Sequence, residues 1–100
     1  MGKIEEKINN LLNLKFSPSL LNVVNESYMH NVPEGSESHF KLIIVSDNFK
    51  DMPTLKRHKI IYKELDNIMN LIHAVSIHTF DENEYKNNPM TLDSPDCVNK

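Results

Sequence analysis

The sequence predicts a two-layer α+β domain. Its elements run helix, strand, strand, helix, strand, short helix, and a three-stranded mixed sheet carries its helices on one face. Three observations support this. Two segments repeat apolar residues at helical spacing. Three short segments alternate with period two and are rich in β-branched residues. A helix-length stretch separates the second strand from the third, which implies a parallel pair joined by a right-handed crossover.

The first helix is read from "KIEEKINNLLNLKF", where Ile4, Ile8, Leu11 and Leu12 share a face between charges and amides. It should stop before Ser17-Pro18, because a residue preceding proline is pushed out of the helical region. In "LLNVVNES", Leu21 and Val23 fall on one strand face and Leu20, Asn22 and Val24 on the other. Asn31, Pro33 and Gly35 give "HNVPEGSES" turn chemistry, so this segment joins two antiparallel strands. "HFKLIIVS" places Phe40, Leu42 and Ile44 on one side. It turns apolar on both sides in its later half, which marks a central strand.

After the connector "DNFKDMP", Thr54 is a candidate cap for a second helix beginning near Leu55. The apolar stripe of that helix is Leu55, Ile61 or Tyr62, Leu65, and Ile68 or Met69. Lys56, Lys59 and Lys63 fall on its outer face. "HAVSIHT" reads as the third strand, with His73 at its opening. Asp81 and Glu84 have capping-box spacing at the start of a last helical turn. The remaining residues show little periodicity. The reading is one domain over residues 1–86 and a flexible tail over 87–100.

Composition excludes several chemistries. A chain of 100 residues with 39% hydrophobic and 25% charged residues is ordinary for a soluble domain. Its net charge of −3 means that contact with nucleic acid requires a local basic face. Lys56, Arg57, Lys59 and Lys63 are the candidates. The single cysteine, Cys97, excludes a disulfide framework and a cysteine-rich metal site, and suits a reducing cytosol. No apolar run approaches the ~20 residues that span a bilayer, so no membrane association is expected. Gly2 and Gly35 are the only glycines. That rules out a P-loop, a dinucleotide fingerprint and the GxxG backbone clamp of KH modules. No serine sits in a glycine-flanked strained turn, and no residue is assigned a catalytic role. The expectation is a protein that is not an enzyme.

Five histidines remain. His73 and His78 have opposite parity on one strand and cannot share an ion from it. Packing is the favoured reading for His39 and His58. His30 lies on a loop, where binding residues concentrate, and His73 opens a strand where its side chain can reach the surface. Spacing alone gives a shared His30–His73 site little weight.

Three stretches shift that balance: "VVNESYMHNVPEGSESHFKLIIVSDNF", "LKRHKIIYKEL" and "IHAVSIHT". Together they resemble the BolA family, and "SPDCVN" is similar to the end of its bacterial branch. The resemblance runs from Ile4 to Cys97. Asp51 stands where the family usually has glycine, Tyr85 where it has tryptophan, and Asp81 where it has a threonine cap.

The resemblance implies a KH-like topology (class II, lacking GxxG) and two activities. One is pairing with a monothiol glutaredoxin around a shared [2Fe–2S] cluster. His73 matches the invariant ligand, and His30 matches a loop position held by His or Cys. The isolated chain would bind no cluster. It would lend two imidazoles, and the glutaredoxin cysteine and glutathione would supply thiolates, a mixed site that raises the potential. The other activity is transcriptional regulation of stress response and cell shape. The basic helix would then act as a helix-turn-helix variant on promoter DNA. A cytoplasmic protein, monomeric or weakly homodimeric when alone, fits both. A metal-free adaptor that binds neither DNA nor a cluster is the third reading.

Overall fold

The computed structural model describes residues 2–27 and 36–88. The elements are helix α1 (Lys3–Phe16), strands β1 (Leu20–Asn25) and β2 (His39–Val45), helices α2 (Thr54–Glu64) and α3 (Asp66–Met69), strand β3 (Ala74–Phe80) and helix α4 (Glu82–Asn87). The sheet order is β1-β2-β3. β1 runs antiparallel to β2, with Leu20 opposite Val45 and Asn25 opposite Phe40. β3 runs parallel to β2, with His39 opposite Ala74 and Val45 opposite Phe80. The predicted α+β order and mixed sheet are the architecture observed.

One core forms between the sheet and the helices. Ile8, Leu12 and Phe16 of α1 meet Phe40, Leu42 and Ile44 of β2, Ile77 of β3, and Ile61, Leu65 and Ile68 from α2–α3. The period-two reading of β2 chose the correct face. The strand is central, and Lys41, Ile43 and Val45 on its other face are buried as well. Lys41 is not a free charge, for it has an interaction partner.

Local signals act as their chemistry dictates. Ser17 takes the left-handed conformation that ends α1, one residue before Pro18. Asp51, where glycine is usual, has φ 62°, and Asp is among the few non-glycine residues that tolerate this region. Asp81 and Glu84 form the complete capping box of α4.

Three expectations need correction. Thr54 is already the first residue of α2, Pro53 occupies the cap position, and no side chain caps the helix. Proline suits that position because it offers no N–H to satisfy. Leu55 does not join the apolar stripe. It is 67% exposed, about 200° round the helix from Arg57 on the buried Arg57–Ile61–Leu65 face, and of the paired candidates Ile61 is buried and Tyr62 exposed. The second helix is also interrupted: Leu65, with φ −91° and ψ 7°, separates α2 from α3. Helix α4 runs through Asn87, and residues 89–100 of the expected tail lie outside those described.

Candidate functional site

The β1–β2 pair ends in a set of side-chain hydrogen bonds close to His73. The last ladder bond runs from the Glu26 N–H to the His39 carbonyl at 2.8 Å. Beyond it, side chains replace the ladder. The Ser27 hydroxyl donates to Asn25 Oδ1 at 2.6 Å and accepts from the Ser38 N–H at 2.8 Å and the His39 N–H at 3.1 Å. Asn25 Nδ2 donates to the Ser36 carbonyl at 2.9 Å. These bonds close the neck of segment 28–35. The Ser38 carbonyl then accepts from the N–H groups of His73, at 2.8 Å, and Ala74, at 3.1 Å. His73 therefore stands immediately before β3, anchored by its backbone, with its side chain exposed.

The His39 ring lies 5.0 Å from the His73 ring, centroid to centroid, tilted by 45°. Sequence reading assigned His39 to packing and missed this neighbour. The signal lay in the strand register, which sets His39 beside Ala74 and hence beside His73. Ser38 Oγ lies 2.9 Å from His39 Nδ1. When the Ser38 hydroxyl donates there, the ring proton resides on Nε2. His30, the second predicted ligand, lies outside the described residues. The structure thus locates His73 and the neck of the segment that carries His30. Among the described residues no three His, Cys, Asp or Glu side chains come together as a metal cluster.

Glu37, also at this neck, was not singled out by the sequence. Its Oε2 accepts from the N–H groups of Ile4, at 3.2 Å, and Glu5, at 3.1 Å, so a residue 32 positions away caps α1. The local N-cap, Gly2, provides no side-chain bond. A Cβ on Gly2 would collide with the Glu37 carboxylate, so the missing side chain makes room for the distant cap.

The predicted basic group divides. Lys56, Lys59 and Lys63 are exposed on α2 as the spacing requires. Arg57, grouped with them from the sequence, is buried instead. It is 4% exposed. Its Nε donates to the Met52 carbonyl at 2.7 Å, and its two terminal nitrogens donate to the Glu84 carboxylate at 2.7 and 3.2 Å. The guanidinium carbon sits 5.7 Å from the Phe49 ring centroid. The reason is helical geometry: Arg57 lies four residues before Ile61, on the buried face, whereas the lysines face outward. The Arg57 hydrogen bond holds the Glu84 carboxyl below the usual carboxylate range, aided by the Asp81 N–H. A cleft of about 440 Å³ between the start of α2 and α4 is lined by Thr54, Arg57, Thr79 and Glu84. Glu84 already takes Arg57's terminal donors there, so the cleft offers no open cation for an anion. His58 is half-buried. Burial lowers its pKa from 6.5, and the charges of His78 and Arg57 lower it further.

A mixed three-stranded sheet with its helices on one face, an exposed histidine ahead of β3 and exposed lysines on α2 define a small α+β domain. The comparisons with known proteins agree. Residues 12–84 match the family model described as BolA-like protein. The chain is 44% identical over 96 residues to the DNA-binding transcriptional regulator BolA of Escherichia coli (strain K12), covering 94% of this chain and 91% of that one. It is 42% identical over 97 residues to the protein of that name from Vibrio cholerae, covering 95% and 92%. Among solved structures, BolA1 from Mus musculus aligns with TM-score 0.84 at 35% identity, covering 97% of this chain and 80% of that one. The BolA domain of SufE1 from Arabidopsis thaliana aligns with TM-score 0.77 at 34% identity, covering 84% and 98%.

The chain belongs to the BolA family. Its bacterial relatives are named as regulators, not enzymes. No helix among the described residues is long and apolar enough to cross a membrane.

Proposed function

We propose that this protein is a non-enzymatic regulatory protein that pairs with a monothiol glutaredoxin around a shared [2Fe–2S] cluster, to which it lends the imidazoles of His73 and His30. The observation that carries this reading is the exposed side chain of His73, anchored through its own N–H to the Ser38 carbonyl at the neck of the segment holding His30. His30 is three residues on from Ser27, and three residues span at most about 10 Å. The donor set suits a shared group. A [2Fe–2S] cluster normally takes four thiolates, whereas this chain has one cysteine. Nitrogen donors from here must therefore be completed by sulfur from elsewhere, and glutaredoxin with glutathione supplies it.

When bound, the cluster provides one-electron redox chemistry. The chain's own part is to hold two neutral imidazoles in place, so binding weakens as acid protonates them. The test is reconstitution with a monothiol glutaredoxin, iron, sulfide and glutathione, followed by visible circular dichroism. His73→Ala and His30→Ala should each alter the spectrum of the mixed complex. An unchanged spectrum in both variants contradicts the ligand assignment.

A second reading is DNA-binding transcriptional regulation, favoured by the exposure of Lys56, Lys59 and Lys63 on one helix and by the names of the bacterial relatives. The lysines would neutralise phosphates by releasing counterions, which gives affinity that falls steeply with salt. Arg57, held by Glu84, would make no phosphate contact. A gel-shift series with promoter DNA at rising salt decides between this reading and a solubilising lysine face.

A further inference from the structure

We propose that Ser27 is the positioning residue of the histidine site. Its hydroxyl pins the Ser38–His39 backbone and, through the Ser38 carbonyl, sets where His73 stands. The inference rests on the cluster-sharing reading for its purpose, but its geometry is independent of any ligand. Ser27 is 3% exposed, so water is a poor substitute for its bonds. A hydroxyl carries one donor and two acceptor sites, and Ser27 uses all of them. The donor goes to Asn25 Oδ1 at 2.6 Å, and the acceptors take the N–H groups of Ser38 at 2.8 Å and His39 at 3.1 Å. Asn25 Oδ1 also accepts the Ser27 N–H at 3.0 Å, which holds both residues in one tight turn.

The backbone ladder between β1 and β2 has ended one residue earlier, so these side-chain bonds are what keeps the neck closed. On its far side the Ser38 carbonyl receives the N–H groups of His73 and Ala74. A single hydroxyl thereby connects the two ends of segment 28–35 to the backbone of the presented imidazole. Removing it strands the donors of Ser38 and His39 in a half-buried place, which favours opening of the neck.

Ser27 touches neither partner nor cluster in this account. It acts through Ser38, and the test separates that from general stability. Amide hydrogen exchange is followed by NMR on the isolated full chain. In Ser27→Ala, exchange at Ser38, His39, His73 and Ala74 should accelerate roughly tenfold or more. Leu12 and Ile43, deep in the core, should keep their rates, and Ser27→Thr, which retains the hydroxyl, should restore the slow exchange. If Ser27→Ala does not fold, Asn25→Ala is read in the same way, since it removes the acceptor that orients the hydroxyl. The proposal is overturned if His73 and Ala74 keep wild-type rates. It is equally overturned if Leu12 and Ile43 accelerate as much as they do.

Visible circular dichroism of the reconstituted glutaredoxin complex gives the second arm. A coloured wild-type complex whose bands weaken in Ser27→Ala and recover in Ser27→Thr supports the positioning role. A colourless wild-type complex sinks the cluster reading alone, because the exchange rates still decide the place of Ser27.

Discussion

The neck around His73 and the junction between α2 and α4 solve the same problem with opposite chemistry. Each places a buried polar residue beside exposed ones. At the neck the support is a neutral hydroxyl, Ser27, and the exposed group is His73. At the junction the buried group is a cation, Arg57, held by Glu84, and the neighbouring lysines of α2 are exposed. A hydroxyl is cheap to bury and holds position through several modest bonds. A guanidinium is costly to bury without its carboxylate, so Arg57 and Glu84 form a lock. The difference teaches that charge near a candidate site is not evidence of ligand binding until burial is known. Arg57 is buried against Met52, Phe49 and Glu84. His73 anchors its backbone and leaves its ring outside.

The comparison predicts its largest effect at Arg57. Arg57→Ala removes the bond to Met52, the paired bonds to Glu84 and the contact with Phe49, and should cost about 3 kcal/mol in urea unfolding. A loss within ~0.5 kcal/mol, accompanied by weakened DNA binding, would return Arg57 to the basic face. Charge reversal at Lys56 and Lys59 should do the opposite. It should abolish gel shifts and leave stability within ~0.5 kcal/mol, as exposed substitutions do.

The distant cap is next in size. Glu37→Ala should destabilise by about 1 kcal/mol, because α1 loses the acceptor of two N–H groups. Gly2→Ala displaces the same carboxylate. The double variant should therefore cost no more than either single change, and additive losses measured by thermal unfolding would contradict the shared mechanism.

Acid should act on His58 before Glu84. The folded pKa of His58 is lowered, so the unfolded chain takes up its proton first. Stability from this group is complete above about pH 6.5 and declines as the pH falls towards its folded value. Glu84 is lowered too, and its contribution is lost at lower pH still, as acidification protonates the carboxyl paired with Arg57. Urea midpoints from pH 8 to 5 should fall in the wild type and flatten in His58→Gln. An equal slope in both proteins would show that His58 is not the group responsible. The smallest effect is at Asp51, where φ is positive. Asp51→Gly should gain about 0.5 kcal/mol by urea unfolding, and a loss would mean that the aspartate side chain stabilises the turn.

Much of the fold was legible because it rests on periodicity. Period two in "HFKLIIV" gave the central strand and its core face, and Asp81 with Glu84 gave the start of α4. What escaped depends on contacts between elements. Glu37 caps a helix 32 residues upstream, and no local pattern announces that. Arg57 looks like part of a basic run until Glu84 is brought beside it. His39 and Ser27 acquire their places only through the strand register, which joins residues that the sequence separates. For the candidate site, the surface position of His73 was readable from its place ahead of the last strand. The hydroxyl that holds the neck was not, since serines are common and their bonds depend on what surrounds them.

The central claim is that His73 lends a nitrogen to a cluster held mainly by its partner's sulfur. Pulsed EPR of the reduced glutaredoxin complex, assembled with this chain labelled with ¹⁵N-histidine, tests it most directly. Strongly coupled ¹⁵N signals that diminish in His73→Ala are the predicted result. A cluster without labelled nitrogen coupling, or one whose coupling survives that substitution intact, would contradict the account.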